Sequence, residues 1–152
     1  TYYHMKSWEQ ISERPFIWGS FIWAFFDFGA AHRTEGDRPG INDKGLVTFD
    51  RKEKKDAFYY YKANWDKDNK FVYIAERRCK NRVNPQVDIM VFTNLPEASL
   101  WINGQYMGKA KADKWATVRW ENMNLIPGSN YIEVKSVDKK KEYSDTVEWI
   151  LQ

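Results

Sequence analysis

Residues 16–65 most constrain what this chain can fold into. They read FIWGSFIWAFFDFGAAHRTEGDRPGINDKGLVTFDRKEKKDAFYYYKANW. An aromatic run ends in Phe26-Asp27-Phe28, and a polar stretch over 29–45 follows, with four glycines and one proline. A short apolar segment, Gly45-Leu46-Val47-Thr48-Phe49, then leads into a lysine-rich amphipathic segment. Residues 16–23 predict a strand buried on both faces, because aromatic and β-branched side chains fill both of its alternating sides. Its length and its flanking Pro15 and Gly29 favour a strand over a buried helix. The stripe Ala57, Phe58, Tyr61 and Trp65 predicts a helix over about 54–64, with Asp50 as its N-cap. Strand, loop and helix make one βα unit, and one such unit cannot enclose a core of its own.

A unit of this kind is what closes a (β/α)₈ barrel, in which the loop after a strand's C-terminal end lies on the catalytic face. A connection as long as 29–45 is usually functional or disordered. Before it, Met5, Trp8 and Ile11 at helical spacing predict a helix over 1–13, ended by Pro15. After it, the polar run Asp66-Lys67-Asp68-Asn69-Lys70 predicts a linker.

The texture then changes. Strand signals recur at 71–76, 87–93, 99–102, 106–109, 116–120, 131–136 and 146–151. Asn103-Gly104 marks a tight hairpin whose two central residues need positive φ, and Pro127-Gly128-Ser129-Asn130 marks another turn. About seven short strands in some 80 residues predict an immunoglobulin-like β-sandwich. The fold class is therefore mainly β: an immunoglobulin-like β-sandwich preceded by a terminal βα fragment of a TIM barrel. The domains read as 1–65 barrel fragment, 66–70 linker and 71–152 sandwich.

Composition excludes several functions. With 24 basic and 21 acidic residues the net charge is +3, and no basic block interleaves with aromatics, so no nucleic-acid partner is indicated. The runs 52–55 and 139–141 read as solvated faces. One cysteine, Cys79, and two histidines, His4 and His32, rule out an intrachain disulfide and suggest no metal site or cofactor. No window approaches the roughly 18–20 apolar residues of a membrane span. Eight Trp, nine Tyr and nine Phe suit stacking on sugar faces, although large rings more often pack strands.

Three stretches carry a resemblance: residues 16–28; Pro39-Gly40-Ile41-Asn42-Asp43-Lys44-Gly45-Leu46-Val47-Thr48; and Asp50-Arg51 followed by Lys55-Asp56-Ala57-Phe58-Tyr59-Tyr60-Tyr61-Lys62-Ala63-Asn64-Trp65. In this order they resemble glycoside hydrolase family 2, the family of β-galactosidases, β-glucuronidases and β-mannosidases, and most of all its bacterial galactosidase-type members. Residues beyond Lys70 resemble the β-sandwich that follows the barrel in such enzymes, with the less specific motifs Thr93-Asn94-Leu95-Pro96 and Asn103-Gly104.

The resemblance implies a retaining glycosidase, in which one carboxylate protonates the leaving oxygen and another, about 5–5.5 Å away, attacks the anomeric carbon. The family's acid/base glutamate follows an asparagine, and this chain holds no Asn-Glu dipeptide. In the family the nucleophile glutamate ends the barrel strand before the one matched by 16–23, and the resemblance implies that the helix over 1–13 comes after that strand. Neither catalytic glutamate is therefore expected here, and the isolated chain is expected to be inactive. Four residues match family positions on the sugar pocket. Trp23 resembles the strand-end tryptophan platform. Asp27 resembles a residue that holds the loop or reaches the substrate, the first being favoured. Asn42 and Lys44 match the Asn-x-Lys spacing that grips the carboxylate in β-glucuronidases, although Asp43 weakens the positive field and a turn held by Asn42 is the simpler reading. Arg33 and Glu35 read as an ion pair in the loop.

The expected function is the C-terminal portion of a retaining β-glycosidase, first a β-galactosidase and alternatively a β-glucuronidase. The sandwich reads as structural rather than as a carbohydrate-binding module. Trp120 is expected in its core, while Trp101 and Trp115 stay open. Carbohydrate is the expected partner through the parent enzyme, and the resemblance implies a periplasmic or extracellular bacterial setting. A βα fragment without its neighbours leaves large aromatics facing water, so self-association is a further expected partner mode.

Overall fold

A computed structural model describes residues 1–33 and 38–152. The chain divides into two compact units, Thr1–Tyr59 and Tyr60–Gln152.

The first unit opens with helix α1 (Tyr2–Ser12), which buries Met5 and stops before Pro15. Residues 16–23 do not form the expected strand. A doubly buried parallel strand takes its backbone hydrogen bonds from neighbours on each side. Among the described residues, pairing of this region starts at Ala24, where Ala24 O accepts from Leu46 N–H and Phe25 O from Val47 N–H. Phe16, Trp18 and Phe21 consequently stand 78 %, 97 % and 99 % exposed. Two-residue strands β1 (Phe28–Gly29) and β2 (Ile41–Asn42) pair antiparallel, matching Phe28 with Asn42.

Helix α2 (Asp56–Trp65) begins six residues after Asp50. Asp50 is therefore not its cap; its carboxylate closes a turn, accepting from the Thr48 hydroxyl and Lys52 N–H. The expected stripe is also rotated. Ala57 and Tyr61 are buried as read, but Tyr60 and Ala63 are buried too, and Trp65 is half exposed. Phe58 meets Phe25 edge-on in the first unit, whereas Tyr60 meets Phe92 edge-on in the second.

The second unit is a sandwich of two sheets. One orders its strands as β4-β10-β9-β6-β7 and the other as β3-β5-β8. All seven expected strands are present: β3 (Val72–Ile74), β5 (Gln86–Thr93), β6 (Glu97–Ile102), β7 (Gln105–Lys111), β8 (Thr117–Asn124), β9 (Gly128–Asp138) and β10 (Lys141–Leu151). Strand β4 (Asn81–Arg82) is an addition. Two polar residues carry no periodicity, and only pairing with β10, here parallel, makes them a strand.

Alternation along the strands sends Ile89, Val91, Leu100, Val118, Trp120, Ile132, Val134 and Trp149 into one core, so Trp120 is a core residue as expected. Asn103 and Gly104 turn the β6–β7 hairpin with φ of 51° and 79°. Lys139 and Lys140 do the same between β9 and β10, at 45° and 71°. That lysine run is exposed, as read, and it also forms the turn; two residues at positive φ are rarely lysines, so the sequence hid the turn. The Thr93-Asn94 motif also has a structural use. The Thr93 hydroxyl donates to Phe71 O, while Asn94 accepts from Phe71 N–H and donates to Asp66 O and Asn69 O, tying 66–71 to the end of β5.

Candidate functional site

The backbone over 24–29 and the backbone over 41–47 lie side by side, joined by Leu46 N–H to Ala24 O, Asp27 N–H to Val47 O and the β1–β2 ladder. This brings Asn42 beside Phe28 and carries Lys44 on the same loop. Trp23 meets Phe28 edge-on at 5.8 Å between ring centroids, and its indole is 78 % exposed. The Trp23–Ala24 peptide is cis. All four residues expected at the site thus belong to one small region of the first unit.

Asp27 is buried and holds the loop together. Its Oδ1 accepts from Gly45 N–H at 2.9 Å and from Lys55 Nζ at 2.7 Å, and the same ammonium donates to Asp43 O at 2.6 Å. One carboxylate oxygen with two donors, one of them charged, is a short and strong arrangement. Gly45 is required at this crossing. A Cβ there would lie 2.2 Å from Asp27 N and 2.3 Å from Phe26 C, both backbone atoms that cannot move aside.

Asn42 is buried, and its Oδ1 accepts from Lys44 N–H at 3.1 Å. This is the local turn expected of an asparagine in a loop. The amide nitrogen remains as its donor, and the Lys44 side chain, beyond the turn, is exposed.

The sequence reading missed Lys55 and Gly45. Lys55 belongs to a run read as a solvated face, yet its side chain is only 16 % exposed and paired with Asp27. Nothing in the run distinguishes Lys55 from its neighbours, because the partner lies 28 residues away. The fixed spacing of Asn42, Lys44 and Gly45 was the available signal for the glycine. Glu35, and with it the expected Arg33–Glu35 pair, lies outside the described residues. Among the described residues, no group of three or more His, Cys, Asp or Glu is placed to hold a metal ion, and no helix is long and apolar enough to cross a membrane.

Known proteins match the chain along nearly its full length. A β-glucuronidase of Bacteroides fragilis is 61 % identical over 140 residues, which is 92 % of this chain and 20 % of that protein. Among solved structures, a Bacteroides fragilis protein provisionally assigned as a β-galactosidase superposes with a TM-score of 0.91 at 33 % identity, over 98 % of this chain and 22 % of that one. A Bacteroides uniformis β-glucuronidase gives 0.88 at 30 %, over 99 % and 18 %. The chain therefore spans about a fifth of the length of the relatives it matches. The model of a family described as a domain of unknown function, DUF4982, matches residues 84–144, from the turn before β5 into β10. The relatives are β-glucuronidase- and β-galactosidase-like glycosidases, and this chain shares the fold of the portion it matches.

Proposed function

We propose that this chain is a portion of a β-glucuronidase of glycoside hydrolase family 2, in which its first unit supplies part of the sugar pocket and the remaining protein supplies the catalytic glutamates. The observation that carries the reading is the loop geometry around Asp27. A buried Asp27–Lys55 pair and a backbone crossing that only Gly45 permits hold Asn42 and Lys44 on the loop that pairs with the end of the Trp23 segment.

In this reading Trp23 offers its exposed indole to the apolar face of the sugar. Lys44 brings an ammonium to the uronate carboxylate, and Asn42 contributes its amide nitrogen. Asp27 acts through the loop and touches no substrate. The 61 % identity to a β-glucuronidase favours the uronate over the galactoside that the sequence put first. The exposed aromatics at 16, 18 and 21 support the same reading, since rings of that size are ordinarily covered by further structure.

The test is the whole enzyme on chromogenic β-glucuronide and β-galactoside, beside its Lys44→Ala variant. Wild type is expected to prefer the glucuronide. The variant is expected to lose roughly ten- to hundredfold in kcat/KM on that sugar alone, the worth of one hydrogen bond between charged groups. Preference for the galactoside, or an equal loss on both sugars, would return the reading to a β-galactosidase or to a loop with a structural role. The 152-residue chain assayed alone is expected to turn over neither.

A further inference from the structure

The outer face of the five-stranded sheet carries a feature that core packing does not require. Trp101 on β6 and Tyr106 on β7 are cross-strand partners. Their ring centroids lie 5.2 Å apart at 52°. Neighbours Leu100 and Ile102 point into the core, so Trp101 points away from it, and Tyr106 is 54 % exposed. Register continues the row across the sheet to Glu133 on β9 and Thr146 on β10, with Ser99, Lys135 and Ser144 in a parallel row beside it. The Lys135 ammonium sits 5.4 Å from the Trp101 ring centroid.

Charge on this face is balanced at close range. Lys135 pairs with Glu133 at 3.1 Å, and Lys109 pairs with Glu97 at 2.8 Å. A polyanion or an anionic surface finds no excess of positive charge here. What the face presents is an angled pair of aromatic rings beside hydroxyls and paired charges able to donate and accept. That complements a neutral polyhydroxylated ligand, with apolar C–H faces for the rings and hydroxyls for the rim. A flat aromatic strip would suit an ordered glycan surface; two rings inclined at 52° suit one turn of a flexible, soluble chain.

We propose that Trp101 and Tyr106 form a binding platform for a neutral, soluble glycan chain, separate from the pocket of the first unit. The inference stands without the uronate reading, because it rests on different residues and asks for a different sugar chemistry.

The test is titration of the 152-residue chain with neutral xylo- and galacto-oligosaccharides and, separately, with oligogalacturonate, read by calorimetry and by amide shifts. Binding of a neutral oligosaccharide is expected, with shifts confined to β6, β7 and β9. Trp101→Ala and Tyr106→Ala are each expected to weaken it at least tenfold, and Trp18→Ser, on the exposed aromatic run of the first unit, to leave it unchanged. Tyr106→Ser, at the more exposed position, guards against loss of fold and is read beside the far-ultraviolet spectrum. No binding of any neutral chain, tighter binding of oligogalacturonate, or binding that Tyr106→Ser spares would each overturn the proposal.

Discussion

The two units solve the same problem in opposite ways. Residues 60–152 bury Trp149, Phe92, Ile89 and Leu100 almost completely, and each of the two sheets covers the apolar face of the other. Residues 1–59 hold equally large rings and leave Phe16, Trp18, Phe21 and Trp23 largely in water. Hydrophobicity does not separate the units; pairing does. In the second unit every long strand has a hydrogen-bonded neighbour, so alternation along it becomes an inside and an outside. In the first, the aromatic run has no hydrogen-bonded strand neighbour among the described residues until Ala24, and the order beyond it comes from one buried ion pair and one glycine crossing. Two sheets that cover each other can be stable by themselves, whereas the first unit is shaped locally and leaves its largest rings uncovered.

The largest expected effect is on association. If exposed aromatics are what distinguishes the first unit, the 152-residue chain should self-associate as concentration rises, and Trp18→Ser with Phe21→Ser should restore a monomer, both measured by light scattering. A wild-type chain that stays monomeric at all concentrations would break the comparison. Next comes the core of the second unit. Trp149→Ala should cost about 3–5 kcal/mol in urea unfolding, the usual range for deleting a buried aromatic. Amide exchange would show whether the loss is confined to residues 60–152, as a self-sufficient unit requires.

The smallest effect concerns Asp145 in β10, which accepts from Ile74 N–H at 2.8 Å and pairs with Arg77. Burial nevertheless raises its carboxyl above the ordinary value of 3.8, outweighing those hydrogen bonds and the Arg77 charge. The folded state then holds the proton more tightly than the unfolded one. The contribution is complete below the ordinary carboxylate value and is lost as pH rises through the raised one. Asp145→Asn should therefore flatten the fall in sandwich stability across that window, seen by thermal unfolding at a series of pH values. An unchanged slope would mean that Arg77 offsets the burial.

How far the sequence went differs by region in the same way. Period-two alternation and the Asn103-Gly104 turn were enough to locate seven strands, because a strand's face and a tight turn are written in adjacent residues. Trp120 could be assigned to the core for that reason. Strand β4 and the Lys139-Lys140 turn escaped, since one depends on a partner strand and the other uses residues that do not favour its backbone. At the candidate site, Trp23, Asp27, Asn42 and Lys44 were named only through the resemblance of their motifs to a family, and the structure adds where they lie. Lys55 was not singled out, because its role is defined by Asp27 and not by its own neighbours.

The sequence by itself determined the mainly β architecture and the places of the seven strands, which rest on local periodicity and turn chemistry. Only the tertiary structure decided that residues 16–23 lack a sheet, that Asp27 is spent on Lys55 and Gly45, that Asn42 is buried in a turn while Lys44 is exposed, and that Trp101 meets Tyr106 on an open face. These depend on which distant segments come together. Strand pairing and ion pairing satisfy backbone and charge across the whole chain, and no window of adjacent residues records that outcome.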